Sequence, residues 1–407
     1  MDKVILFNKK DECCGCGACL NICPKQAISM QQDEYGFLYP KINEILCIGC
    51  KLCKKVCYYQ SKKPKNEPIK AYAAVNKNEK QLLKSASGGV FSAIATQILN
   101  EGGVVFGATL TFENGKANPH HIYIDSVEDL IKLQGSKYVQ SSLNHCYKKA
   151  KFFLENEKKV LFSGTPCQIG GLYGYLAKDY DNLLTVDVIC HGVPNTKIFN
   201  DFLQNERDKN STMKVIGYSF RDKLKGWGMN TRIDFIKDNS NKFLIRYSPA
   251  RLKSYNTFFL DGDIYRENCY SCKYAGKLRV SDLTIGDYWG IEKEHPELKN
   301  SNSFDEKKGI SCILINTHKG LNFCKNIKNI YLFPSTFDKI SKKNEQLKNP
   351  TKLSSKRNKI LEMYKNNNYS YIDNWFYKVY RKQIIIHSIF NRIPRNLRLM
   401  LKSIFKN

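Results

Sequence analysis

Cys13-Cys14-Gly15-Cys16-Gly17-Ala18-Cys19-Leu20-Asn21-Ile22-Cys23-Pro24, followed by Cys47-Ile48-Gly49-Cys50-Lys51-Leu52-Cys53-Lys54-Lys55-Val56-Cys57, decides how this chain is read. Each run spaces three thiols at i, i+3 and i+6 and adds a fourth cysteine after three more residues. Three thiols so spaced in a turn-rich loop close on three irons of one cubane. The fourth leaves on a different course and is exchanged between two clusters. The spacing therefore assigns Cys13, Cys16, Cys19 and Cys57 to one 4Fe-4S cluster, and Cys47, Cys50, Cys53 and Cys23 to a second. Zinc is the alternative for CxxC repeats, but it calls for two CxxC pairs rather than two triplets with trailing cysteines. Cys14 is one thiol too many and reads as a spare small residue. Cys57-Tyr58 stands where the first run has Cys23-Pro24, which loosens a turn without removing a ligand.

This pattern resembles the bacterial two-cluster ferredoxin domain over residues 1–60. The remainder of the 407-residue chain is long enough for a sizeable core of two lobes. Sixteen cysteines would suggest disulfides in a secreted protein, but Met1-Asp2-Lys3 leads into only four apolar residues and does not read as a signal peptide. The thiols are expected to be metal ligands in a reducing cytoplasm. No apolar run is long enough to span a bilayer. The formal charge of +27 invites a nucleic-acid reading. Against it, each thiolate-bound cubane brings a charge of about −2. The lysines are also spread along the chain rather than clustered. A membrane surface or an acidic partner suits the charge better than nucleic acid does.

Ser61-Lys62-Lys63-Pro64-Lys65-Asn66-Glu67-Pro68 reads as a linker. Beyond it an alternating pattern predicts strands over residues 69–75, 103–110, 159–163 and 183–189 and a helix over 90–99. Ser126-Val127-Glu128-Asp129 opens a short helix. Residues 214–220, 230–236 and 242–247 read as antiparallel strands, with a turn at Lys237-Asp238-Asn239-Ser240. Residues 281–287 and 309–316 return to the buried-strand type. The expected fold is an α/β core, a mostly parallel sheet with an antiparallel insertion, preceded by a small α+β ferredoxin-type domain. Its parts are the ferredoxin domain (1–60), the linker (61–68), the two parts of the core (69–210 and 211–340) and a basic helical tail (341–407).

Four further cysteines are candidate ligands. Cys167 and Cys190 follow predicted strands, and loops at the carboxyl ends of parallel strands share the edge where ligands bind. Cys269-Tyr270-Ser271-Cys272 adds a CxxC pair, enough with the other two for a third 4Fe-4S cluster, a four-thiolate zinc site or four unlinked thiols. Cys146, Cys312 and Cys324 read as core. Ser87-Gly88-Gly89 precedes a helix and lets backbone N–H groups approach a phosphate, or forms a tight packed turn. Gly135-Ser136-Lys137-Tyr138 would add a cation and an aromatic face.

Ser87-Gly88-Gly89-Val90-Phe91, Gly135-Ser136-Lys137-Tyr138, Thr165-Pro166-Cys167-Gln168, Cys190-His191-Gly192-Val193-Pro194, Cys269-x-x-Cys272 and Ser281-Asp282-Leu283-Thr284-Ile285-Gly286-Asp287 occur in one order. Together they resemble the beta-subunit family of coenzyme F-420-reducing hydrogenases and dehydrogenases over about residues 70–320. The resemblance implies a flavoprotein with FAD in the α/β core, a core iron–sulfur cluster and an organic substrate reduced at the flavin. It also implies a redox partner protein such as reduced ferredoxin, and for similar bacterial chains a link to surface-polysaccharide assembly. On that footing Ser87, Gly88 and Gly89 are assigned to the FAD phosphates, with support from Lys137 and Tyr138. Arg279 and Asp282 are a candidate cofactor-side pair, and His191 and Asp287 are candidate catalytic residues.

The stretch 375–407 sets Phe376, Tyr380, Ile384, Ile386, Phe390, Ile393, Leu397, Leu401 and Ile404 at helical spacing among basic residues, with Pro394 dividing it. It reads either as a helix docked on its own core or as one lying on an anionic membrane surface, which would make the protein peripheral at the inner face. The function expected is an FAD and iron–sulfur oxidoreductase. The alternatives are a non-catalytic electron-transfer subunit and a zinc-bearing nucleic-acid binder.

Overall fold

The structure is a computed structural model that describes residues 4–62, 66–209, 213–237, 242–299 and 301–393. Thirteen strands are found among these residues: β1 (Ile28–Gln32), β2 (Leu38–Ile42), β3 (Lys70–Asn76), β4 (Val104–Glu113), β5 (Lys116–Ile124), β6 (Val160–Gly164), β7 (Leu183–Val188), β8 (Met213–Ser219), β9 (Asn230–Lys237), β10 (Phe243–Pro249), β11 (Leu283–Asp287), β12 (Ser311–Ile315) and β13 (Ile330–Ser335). Eight of them form one sheet in the order β13-β3-β12-β11-β7-β6-β4-β5. The middle of this sheet, β11-β7-β6-β4, is parallel. Antiparallel pairings extend it on both flanks. The expected α/β core is present, with its parallel character confined to those four strands.

The sheet is buried on both faces because its strands alternate apolar side chains to each side. Val105, Leu161, Leu184 and Val186 meet helix Val90–Asn100. Val104, Phe106, Val160 and Phe162 meet helices Cys146–Glu155 and Pro166–Leu176. The unit bearing the two cysteine runs packs on the outside of helix Pro166–Leu176. The layers are therefore helix, sheet, helix and cysteine-rich unit.

The sequence reading did not anticipate β5 and β13. Both lie at the two ends of the large sheet and both carry a proline, Pro119 and Pro334. Proline cannot donate to a ladder and is tolerated at an edge, so the residue that hid these strands also marks where they sit. The antiparallel insertion is a separate sheet, β10-β9-β8, and the turn expected at its tip lies largely outside the described residues. It packs with helices Thr196–Asp208, Ser254–Leu260, Arg357–Asn366 and Tyr369–Val379. Phe376 and Tyr380 are buried there and Ile384 packs against the same cluster, which is the docked-helix alternative. Ile385, Ile386 and Ile389 on helix Arg381–Arg392 face solvent. Pro394, Leu397, Leu401 and Ile404 lie outside the described residues. Among the described residues no helix is long and apolar enough to cross a membrane.

Two buried carboxylates tie the parallel strands to later segments of the chain. Asp187 of β7 accepts from Arg279 at 2.8 Å. Asp282 accepts from the backbone and hydroxyl of Thr185, each at 2.8 Å, and from the Thr317 hydroxyl at 2.7 Å. Arg279 is 2% exposed and also donates to Thr284 and to the Tyr274 carbonyl. Removing one partner of such a pair leaves the other charge buried alone. Arg279→Met is therefore expected to lower stability by about 3–5 kcal/mol. Urea unfolding checks this, with Lys277→Met, which breaks the exposed pair with Glu67, leaving the midpoint unchanged.

Candidate functional site

The first cysteine run turns inward. Gly15 and Gly17 take positive φ in its loop, and an added Cβ at Gly15 would press on Gln140 and the Arg266 guanidinium. Cys13, Cys16, Cys19 and Cys57 come together there. Burial pushes the Cys19 thiol well up, and the charges of Cys16, Cys13 and Cys57 add to the rise. Cys57 is pushed up to about 11 by burial, then by Cys16 and Cys13. Arg266, fully buried, donates to the Cys13 carbonyl at 3.0 Å and to the Leu38 carbonyl at 2.8 Å. The second run faces outward: Cys23, Cys47, Cys50 and Cys53 line one cavity with Ile28, Ile42, Ile48 and Leu52.

Cys167, Cys190, Cys269 and Cys272 also converge. Burial pushes Cys190 well up, followed by the charges of Cys269, Cys167 and Cys272. Cys269 and Cys272 are pushed up to about 12 and about 11 by burial and then by their neighbours. Cys167 differs, being held down to about 7, first by the neighbouring Cys14 thiol. It sits in the first turn of helix Pro166–Leu176, which Thr165 and Gln168 close with a capping box, and its sulfur is 3.1 Å from the Thr165 hydroxyl. A helix N-terminus favours a thiolate.

Burial and mutual repulsion are the two costs of gathering thiolates, and bound iron relieves both, so the donor sets suit cationic clusters. Among the described residues no three His, Cys, Asp or Glu side chains are close enough to share one metal ion. Thiols round a cubane each bind a different iron and need not converge on one point.

Cys14 is 4% exposed and neighbours both Cys16 and Cys167, so it stands between the inner ferredoxin thiols and the core thiols. The approach that makes this possible runs along helix Pro166–Leu176. A Cβ on Gly171 would lie 2.9 Å from the Cys16 sulfur, and one on Gly174 would lie 2.2 Å from the Val56 carbonyl. The Tyr274 hydroxyl, buried beside Cys14, Cys167 and Cys16, has no hydrogen-bond partner among the described residues.

His191 is exposed, yet burial by surrounding atoms holds its imidazole below the usual pKa, with Asp287 and Arg221 nearby. His191 thus borders a face of the core that it shares with Asp287 and Arg221, next in the chain to Cys190. Asp287 is not a free acid or base. Its two oxygens accept from Arg221, each at 2.9 Å, and one also accepts from the Trp227 indole at 2.7 Å. Trp227 stacks on Trp289 at 4.6 Å, and Arg221 lies over the Trp289 ring. Arg221 also donates to the Tyr138 hydroxyl and the Ala86 carbonyl.

The proposed phosphate loop is tighter than its sequence suggests. Ser87 donates to the Ile310 carbonyl, and the Gly88 N–H is taken by the Ser311 hydroxyl. A Cβ on Gly88 would lie 2.3 Å from the Ala74 carbonyl. Ser87 and Gly88 therefore build a packed turn. Gly89, at φ +74°, opens helix Val90–Asn100 with no side-chain cap. Lys137 donates to the Leu133 and Gln134 carbonyls, and burial brings it down to about 7. Lys223 grips the same loop through the Leu82 and Ser87 carbonyls and is likewise brought down to about 7 by burial, then by Arg221. Cations and an uncapped helix start suit a diphosphate. Arg279 and Asp282 do not pair; Arg279 takes Asp187 instead, and both are spent inside the core.

Arg221, Lys223, Trp227 and Arg266 were missed in the sequence. Arg221 and Lys223 follow β8, and a strand-end cation was the available signal. Arg266 had none, since its partners are more than a hundred residues away.

The family models for the coenzyme F420 hydrogenase/dehydrogenase beta subunit match residues 71–147 with the N-terminal part and 157–333 with the C-terminal part. This chain belongs to that family. A 4Fe-4S dicluster domain model matches residues 12–61, so the beta-subunit-like core carries an iron–sulfur domain at its N-terminal side. One subunit of the F(420)H(2) dehydrogenase of Methanosarcina mazei is 27% identical over 173 residues, 41% of this chain and 49% of that protein. The coenzyme F420-dependent sulfite reductase of Methanocaldococcus jannaschii is 32% identical over 166 residues, 39% of this chain and 24% of that protein. The matches thus span about half the length of the first relative and a quarter of the second. A chain of the F420-reducing [NiFe] hydrogenase complex from Methanosarcina barkeri aligns with 74% of this chain and 94% of its own length, at 16% identity and a TM-score of 0.43.

Twelve thiols fill the three sets without Cys14. Cys14→Ala is accordingly expected to keep the iron content of the unaltered protein, measured after anaerobic purification. Loss of iron would make Cys14 a ligand.

Proposed function

We propose that this family member is an oxidoreductase passing electrons between a one-electron carrier protein and an organic substrate. In this reading Cys13, Cys16, Cys19 and Cys57 hold one 4Fe-4S cluster, Cys23, Cys47, Cys50 and Cys53 a second, Cys167, Cys190, Cys269 and Cys272 a third, and FAD lies between His191 and the start of helix Val90–Asn100. The observation that carries it is the meeting of four cysteines, distant in sequence, beside the inner ferredoxin thiols. Clusters exchange single electrons and flavin exchanges one or two, which is why both groups belong on one chain.

The chain's own residues divide the remaining work. Arg266 places a buried positive charge between the inner and core thiol sets, where it offsets thiolate charge. Lys137 and Lys223, whose burial disfavours their charged forms, would be held protonated by a diphosphate bound at the start of helix Val90–Asn100. Trp227, Trp289 and Tyr138, with Arg221 and Asp287 fixing them, form an aromatic wall. His191, beside Asp287 and Arg221, is placed to hold or give up a proton. Service to surface-polysaccharide assembly rests on the sequence resemblance alone.

A second reading, a non-catalytic electron-transfer subunit, is favoured by one observation: the relative from Methanosarcina mazei is named as a subunit.

Anaerobic purification with iron, sulfide, zinc and flavin assays separates the readings. About twelve irons and one FAD per chain are expected. About eight irons without flavin favours the carrier subunit, and zinc without iron ends the redox reading. Cys167→Ser is expected to remove about four irons and keep the other eight. An unchanged iron content would refute the core cluster.

A further inference from the structure

The cavity bounded by Cys23, Cys47, Cys50 and Cys53 lies beneath an unusual patch of surface. Ile45 is 94% exposed, and Leu46 and Ile48 are each about half exposed, at 49% and 48%. Leu52 joins them, and the Cys50 thiol itself is exposed. Single exposed apolar residues are ordinary, but four within eight residues of a small domain form a patch that marks an interaction site. The same unit buries Phe37, Val56 and Tyr59, so it does not lack a core in which to place apolar side chains.

The charge around the patch is one-sided. Lys25, Lys41, Lys51, Lys54 and Lys55 are all exposed on the segments that carry these thiols, against the single acid Glu44. The nearest acids on the preceding loop, Asp33 and Glu34, are both engaged by Lys10. The other cysteine set of the unit cannot serve as the port, because it is turned onto helix Pro166–Leu176 and covered by the core.

We propose that the Ile45, Leu46, Ile48 and Leu52 face is the docking site of an acidic electron-carrier protein. This deepens the proposed function and rests on it. The apolar centre excludes water over the outer thiol set, of which Cys50 is exposed, and the lysines steer an acidic surface onto it. The exchange moves one electron between the carrier and the group these thiols hold. One partner is oxidised by one electron as the other is reduced by one, with no bond made or broken. An anionic membrane would also suit lysines and isoleucines, but it makes no use of a thiol set at the centre of the patch.

The test uses the full chain, purified anaerobically with its iron, and stopped-flow bleaching of the iron–sulfur absorbance. The reductants are a purified acidic two-cluster ferredoxin and dithionite, which needs no docking surface. Ile45→Asp and the double change Lys54→Glu with Lys55→Glu should each slow reduction by ferredoxin at least about tenfold and leave the dithionite rate unchanged. The unaltered protein's ferredoxin rate should fall as salt rises. Equal ferredoxin rates in all three proteins would overturn the proposal. So would sedimentation with phosphatidylserine vesicles that Ile45→Asp abolishes while the ferredoxin rate stands, which would make the patch a lipid-binding face. If the anaerobically purified protein carries no iron and sulfide, the iron–sulfur reading has failed and the docking site falls with it.

Discussion

Everything distinctive in this molecule depends on how closely the cysteine-rich unit approaches helix Pro166–Leu176. Gly171 and Gly174 lack the carbon that would collide with the Cys16 sulfur and the Val56 carbonyl. Glycine inside a helix costs about 1 kcal/mol relative to alanine, so two on one face are a real burden on helix stability. What they permit is direct contact between two thiol sets that the chain writes far apart. Cys14 occupies the resulting junction, and Arg266 and Tyr274 lie against it.

The same helix faces the sheet on its other side. Its N-terminus emerges from β6, at the carboxyl ends of the parallel strands, where Cys167 and Cys190 follow neighbouring strands. The four parallel strands therefore aim the loops that bear chemistry toward the cysteine-rich unit. The buried Arg279–Asp187 pair and the Asp282 hydrogen bonds hold β7 and β11 in the register that makes this edge. These charged residues serve the frame. The charges near His191 and the start of helix Val90–Asn100 come instead from Arg221, Asp287, Lys137 and Lys223.

Much of the frame could be read directly. The parallel strands and the three strands of the insertion stood out because their apolar runs are bounded by turn residues. The edge strands β5 and β13 did not, because each contains proline and little apolar periodicity. Around Ser87 and Asp287, reading residue by residue was less successful. Ser87 and Gly88 looked free to meet a phosphate, yet their hydrogen-bonding groups are spent on Ile310 and Ser311. Asp287 looked like a proton carrier, yet Arg221 and Trp227 occupy its oxygens. In each case the deciding partner lies tens to hundreds of residues away, where no local pattern can announce it.

The sequence by itself determined the donor chemistry and its local grouping. Thiols at i, i+3 and i+6 can reach one cluster through the geometry of a single loop, and that geometry travels with the spacing. Only the tertiary structure decided which thiol set faces inward, that Cys14 joins Cys16 to Cys167, and that Arg266 belongs to the site at all. Those relations depend on packing across a helix and on the absence of side chains at two glycines. Such contacts arise between surfaces, and the order of residues along a chain does not record which surfaces will meet.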